Sequence, residues 1–140
     1  TPLHHNYTVS FEDQVTQWSL YAKPVLPVDV SRALVAVFIG INDILDTAAY
    51  TFPRDDAPDL PALYRKIIDA ELASVEGIYA AGYRNFLFLN LPPLDRTPGN
   101  QVRADPLPNA TMIRQYNELV TSRAAAFAAS HPASSAWVFD

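Results

Sequence analysis

Residues 33–43 read Ala33-Leu34-Val35-Ala36-Val37-Phe38-Ile39-Gly40-Ile41-Asn42-Asp43. The run up to Ile39 is apolar with no polar alternation, which is how a strand inside a parallel sheet reads when both of its faces are covered. It stops at Gly40, and polar residues follow at once. In open α/β sheets ligands bind beyond the carboxyl ends of the strands, so the turn after this strand is where chemistry is expected. Gly40 lets the backbone turn without a Cβ clash, and Asn42 then carries an amide whose N–H donors suit a developing oxyanion. Asp43 is placed to fix the loop by accepting backbone N–H bonds. The same residues equally suit an ordinary strand-to-helix turn with Asn or Asp as cap.

Upstream of this stretch, Ser10 followed by Asp13 resembles a capping box, and Phe11, Val15, Trp18 and Tyr21 share one helical face that Lys23-Pro24 ends. Downstream, residues 40–59 turn rich in Asp, Thr, Pro and Arg and predict a long loop with one helical turn. Asp59 is available to cap a helix beginning near Pro61, with Ile67, Ile68, Leu72, Val75, Ile78 and Tyr79 on its apolar face and Gly82 as its left-handed terminator. A second short apolar run, residues 86–91, ends at Pro92-Pro93. A polar loop leads from it to Asn109, which can cap a third helix with Met112, Ile113, Tyr116, Val120, Ala124 and Phe127 in register. His131-Pro132 ends that helix, and Trp137-Val138-Phe139 begins a third strand. Helices of this length between buried strands imply right-handed crossovers and an α/β fold, a three-layer sandwich with a parallel sheet and helices on both faces. Three strands are few for such a sheet, so residues 1–140 are expected to be the central to C-terminal part of an incomplete, larger domain.

Composition bounds the function. At 140 residues, 49% hydrophobic and 18% charged, the chain can bury a core and is not expected to be disordered. Its longest apolar run falls well short of the roughly 18 residues of a membrane span. A net charge of −5 and a pI near 5.0 remove the counterion-release drive of nucleic-acid binding. With no Cys and three scattered His, neither a disulfide framework nor the usual structural zinc site is available, and no metal or cofactor is expected. Two N-x-[ST] acceptors, Asn6 and Asn109, lean towards a secreted, glycosylated protein with an extracellular location.

The segment Val37 to Asp43 resembles the G-x-N-D block of the SGNH hydrolases, also called GDSL esterases and lipases, where it likewise follows a hydrophobic strand. Asp13-Gln14-Val15 with Trp18 is similar to the D-Q-V-x-x-aromatic segment that precedes the block in fungal members. Leu89-Asn90-Leu91-Pro92-Pro93-Leu94 resembles their N-x-P-P-L segment, and Tyr116-Asn117-Glu118-Leu119 their aromatic-N-x-L helix. These matches occur in family order over most of the chain, and the likeness is to fungal secreted esterases, including acetylesterases of carbohydrate esterase family sixteen. The resemblance implies a flavodoxin-like SGNH hydrolase fold. It also implies cleavage of carboxylic esters by a serine nucleophile activated by a histidine that an aspartate orients. The family's oxyanion-hole Asn maps onto Asn42, with Gly40 a backbone-geometry residue and Asp43 a support. The expected partner is a small-molecule, carbohydrate or lipid ester.

The departures are as informative. No Gly-Asp-Ser triplet occurs, none of the four glycines adjoins a serine, and the family's closing D-x-x-H is absent, the last residue being Asp140. Nucleophile, base and orienter are therefore expected to be missing, and the 140-residue chain alone is expected not to turn over p-nitrophenyl acetate. An inactive relative or a binding module on the same fold is the alternative, and a flavodoxin-like ligand-binding domain a third. His131, beside Pro132 at a helix end, suits a dipole-favoured cation better than a base. His4 and His5 are expected to be solvated.

Other groupings read as structural. Asp43, Asp46, Asp55, Asp56 and Asp59 make an acidic loop whose spacing matches no EF-hand, and Asp43 with Asp46 does not by itself define a glycosidase pair. Tyr50, Phe52 and Tyr64 could line a pocket or simply pack the long loop onto the sheet. Gly99 marks a turn, since no phosphate-cradling glycine pattern exists.

Overall fold

The computed structural model describes residues 8–140. Helix α1 (Phe11–Gln17) starts where the Ser10 side chain accepts a hydrogen bond from the Asp13 amide at 3.1 Å, and it continues as a wider π turn, Trp18–Ala22, up to the Pro24 stop. Strand β1 (Leu34–Val37) follows. Helix α3 (Leu60–Ala80) is capped by Asp59, whose carboxylate accepts from the Ala62 amide at 2.8 Å, and Gly82 ends it with φ +105°. Strand β2 (Asn85–Leu89) leads through the short helix α4 (Pro98–Gln101) to α5 (Ala110–Ser130), capped by Asn109 on the Met112 amide at 3.1 Å. Strand β3 (Ser135–Phe139) completes the sheet.

All pairings are parallel in the order β1-β2-β3, with Val37 opposite Phe88 and Phe88 opposite Val138. The class is the expected one, α/β with a small parallel sheet, and it is compatible with part of a flavodoxin-like fold. Each crossover advances one strand in the same direction, and right-handed crossovers of that kind bring α3 and α5 together. The two helices pack on one another over the face that carries Val37, Phe86 and Phe88. Ile68, Val75, Val120 and Phe127 fill that layer, the Phe127 ring meeting Phe86 edge to face at 5.2 Å.

Two details differ from the expectation. The 33–39 run reads as buried on both faces, yet Val37 is buried while Leu34 and Phe38, on the opposite face, are 56% and 51% exposed. Trp137 and Phe139 extend that exposed row on β3. Residues 40–59, expected as loop with one turn, form helix α2 (Ile41–Leu45) and a 3-10 turn, Asp46–Ala49. Ile44 anchors this segment in the core, and the Thr47 and Tyr64 hydroxyls share a buried hydrogen bond at 3.0 Å. No helix among the described residues is long and apolar enough to cross a membrane.

Candidate active site

Because the strands are parallel, the segments after β1, β2 and β3 all emerge at one end of the sheet. After β1, Gly40 adopts φ +99° and its carbonyl accepts the first helical bond from the Ile44 amide at 3.0 Å. The Tyr116 hydroxyl of α5 lies directly against its Cα, where the β-carbon of any other residue would stand. Glycine is thus required at position 40 twice over, by backbone conformation and by space. The turn places Asn42 in the first turn of α2, exposed, its side-chain amide making no hydrogen bond among the described residues. The Asp43 carbonyl accepts from the Tyr50 hydroxyl at 3.2 Å.

Asn42 and Asp43 line a cleft of about 650 Å³ together with Phe38, Ile39, Ile67 and Glu71. Glu71, from α3, is only 7% exposed, and its Oε2 has no hydrogen-bond partner among the described residues. Burial first, and then the negative charge of Asp43, pushes the Glu71 carboxyl up to about 7. Tyr116, 1% exposed, likewise has an unpartnered hydroxyl, and burial, Glu71 and Asp43 hold it firmly neutral. Tyr64 packs edge to face on Tyr116 at 5.4 Å. Burial, Asp43 and Asp46 push Tyr50 up to about 12, and the Arg54 guanidinium sits 5.1 Å over its ring.

A second, larger cleft of about 880 Å³ opens beyond β2 and β3, between α5 and the 3-10 turn Leu94–Arg96. There Asn90 donates from Nδ2 to the Asp140 carboxylate at 2.8 Å, while Arg96, Arg114 and Glu118 line its walls. Asn117 bridges the segment after β2 to α5: its Oδ1 accepts from the Leu91 amide at 2.9 Å and its Nδ2 donates to the Leu91 carbonyl at 3.0 Å. The cleft beside Asn42 is the stronger candidate despite its smaller volume, because it alone combines an unengaged amide donor with a buried, unpartnered acid.

The fold therefore brings Gly40, Asn42 and Asp43 to one rim and leaves the other candidates elsewhere. His131 lies at the amino end of β3, away from the cleft, stacked on Phe127, with Nδ1 2.8 Å from the Phe127 carbonyl and Nε2 3.1 Å from Glu76. The acidic loop is divided among separate tasks: Asp59 caps α3, while Asp56 pairs with Arg54 at 2.9 Å and Lys66 at 3.2 Å, which holds its carboxyl down to about 2. Tyr64 belongs to the core, and Asn109 to a helix cap. His4, His5 and Asn6 lie outside the described residues. Glu71 and Tyr116 were not singled out as site residues by sequence reasoning. The available signal was spacing, since Glu71 falls between Ile67, Ile68, Leu72 and Val75 on the apolar face of α3.

No protein-family model matches the chain. Over 132 residues it is 30% identical to an acetylesterase of Thermothelomyces thermophilus, an alignment covering 90% of this chain and 41% of that enzyme. The chain thus has an esterase relative and spans about two fifths of that relative's length.

Proposed function

We propose that this chain is the oxyanion-hole part of a carboxylic ester hydrolase of the SGNH type. The observation that carries the proposal is the Asn42 amide, exposed on the rim of the 650 Å³ cleft with no hydrogen bond to any described residue. An amide so placed can donate from Nδ2 to the oxygen of an acyl carbonyl as attack converts it to a tetrahedral oxyanion, an interaction stronger in the transition state than in the ester. Gly40 sets the turn and Asp43 supports it. Likeness to an acetylesterase favours ester cleavage, and the acyl group is a small one such as acetyl on a carbohydrate or lipid alcohol.

The attacking serine and the histidine-aspartate pair that activates it are supplied from outside these 140 residues, since the sequence holds no Gly-Asp-Ser triplet and no D-x-x-H. Secretion and glycosylation belong to the same proposal: Asn109 caps α5 through Oδ1, which leaves its exposed Nδ2 open to a glycan.

The test is hydrolysis of p-nitrophenyl acetate by the full-length protein and by residues 1–140 alone. Turnover by the former, abolished by a fluorophosphonate, with none by the latter, is expected. A full-length protein without turnover would favour a binding module on the same fold.

A further inference from the structure

The two faces of the sheet are unlike. Helices α3 and α5 lie over the face that carries Val37, Phe86 and Phe88. On the other face the register sets Ala36, Leu87 and Trp137 in one row and Leu89 beside Phe139 in the next. Leu34, Phe38, Trp137 and Phe139 are each half or more exposed there. None of the three strands contributes an Asp, Glu, Lys or Arg to it. Parallel sheets in water have both faces covered, because their crossovers carry helices across them.

We propose that this apolar face is a docking surface for one amphipathic helix of the same polypeptide, contributed from outside residues 1–140. The inference rests on the reading that the chain is part of a longer ester hydrolase, and it concerns how that protein is held together rather than its chemistry. The alignment with the acetylesterase spans 41% of that enzyme, so about three fifths of a polypeptide of that length lies beyond the matched part and is available to cover the face.

Size selects a helix. Three strands about 4.8 Å apart, rising about 3.3 Å per residue, present a patch roughly 14 Å by 17 Å over their paired length. A helix about 10 Å across with a rise of about 1.5 Å per residue fills that length in about eleven residues, or three turns. A second folded copy would need to bury roughly 800 Å² on each partner, well beyond this patch. It would also bring together two chains that each carry a net charge of −5. Topology selects the side. Strands β1, β2 and β3 follow one another in one direction, and right-handed crossovers put both connecting helices on one face. A further crossover stepping the opposite way, outward from the β1 edge, lays its helix on the other face by the same rule. The uncharged surface calls for a helix with apolar residues at i, i+3, i+4 and i+7 and a polar outer side.

The experiment is hydroxyl-radical footprinting of the full-length protein, read peptide by peptide, which needs no variant to fold. Oxidation of Trp137 and Phe139 is expected to fall to the level of Phe86, which is buried in the core. Oxidation as fast as in the urea-unfolded protein would overturn the proposal. A second arm identifies the occupant by photolysis of the full-length protein with p-benzoylphenylalanine in place of Phe139. The expected product keeps the mass of one chain and joins position 139 to a peptide from outside residues 1–140 with apolar residues at helical spacing. A product of doubled mass would put a second copy on the face, and a cross-link within residues 1–140 would close the face with the chain's own elements. Either result would overturn the proposal. Neither arm reads activity, so absence of ester hydrolysis would remove the proposed function and leave this inference standing, whereas an active protein with an open face would remove this inference alone.

Discussion

The hydroxyl of Tyr116 occupies the place where residue 40 would carry its β-carbon. An aromatic of α5 thereby constrains a turn 76 positions earlier in the chain. Gly40→Ala combines this clash with the cost of an L-residue at φ +99° and is expected to destabilise the fold by about 3 kcal/mol or more. Adding Tyr116→Phe, which removes the nearest clashing atom and an unpartnered buried hydroxyl, recovers part of that loss. Urea denaturation of both single variants and the double variant checks it, and strictly additive effects would rule out the contact.

The buried acid makes stability fall with rising pH. The Glu71 carboxyl is raised from 4.5 in the unfolded chain to about 7 in the fold, so the folded state holds the proton more tightly. Its contribution is complete below about pH 4.5 and is lost as pH rises through about 7, a change of a few kcal/mol. Thermal unfolding between pH 4.5 and 8 is expected to show the decline, and Glu71→Gln to flatten it. A decline of the same size in the Gln variant would assign it to other groups.

Much of this architecture is legible in the residues, and the parts that are not have physical reasons. Ser10, Asp59 and Asn109 announce their helices because a cap is a local contact, made within three residues. Helix α2 is silent because five residues carry no 3.6-residue period; it is held instead by Ile44 in the core and by Thr47 meeting Tyr64 across the fold. The exposure of Leu34 and Phe38 depends on which way the crossovers step, and an apolar run cannot encode that. Asn42 is legible as a candidate because Gly-x-Asn-Asp follows a strand. Glu71 is harder to see, because one polar residue on an apolar helix face signals a role only when its neighbours from other elements are known.

Asn117 carries a structural duty that sequence alone leaves open. It pairs with both the amide and the carbonyl of Leu91, which is 5% exposed, so Asn117→Ala would leave two main-chain groups unsatisfied. A loss of about 2 kcal/mol or more is expected in chemical denaturation. A loss below about 0.5 kcal/mol would mean that water replaces the bridge.

His131 is structural in this account. Its ring is committed to Phe127, Tyr79 and Glu76 at the far end of α5, so His131→Gln is expected to leave ester hydrolysis by the full-length protein unchanged while lowering its unfolding temperature. Loss of turnover with unaltered stability would contradict this.

The most direct test of the central claim is kcat for Asn42→Ala in the full-length protein. Removing one oxyanion donor is expected to lower kcat roughly 10²- to 10³-fold with KM little changed, because the bond forms only as charge develops on the acyl oxygen. A kcat equal to that of the unaltered protein would contradict the account.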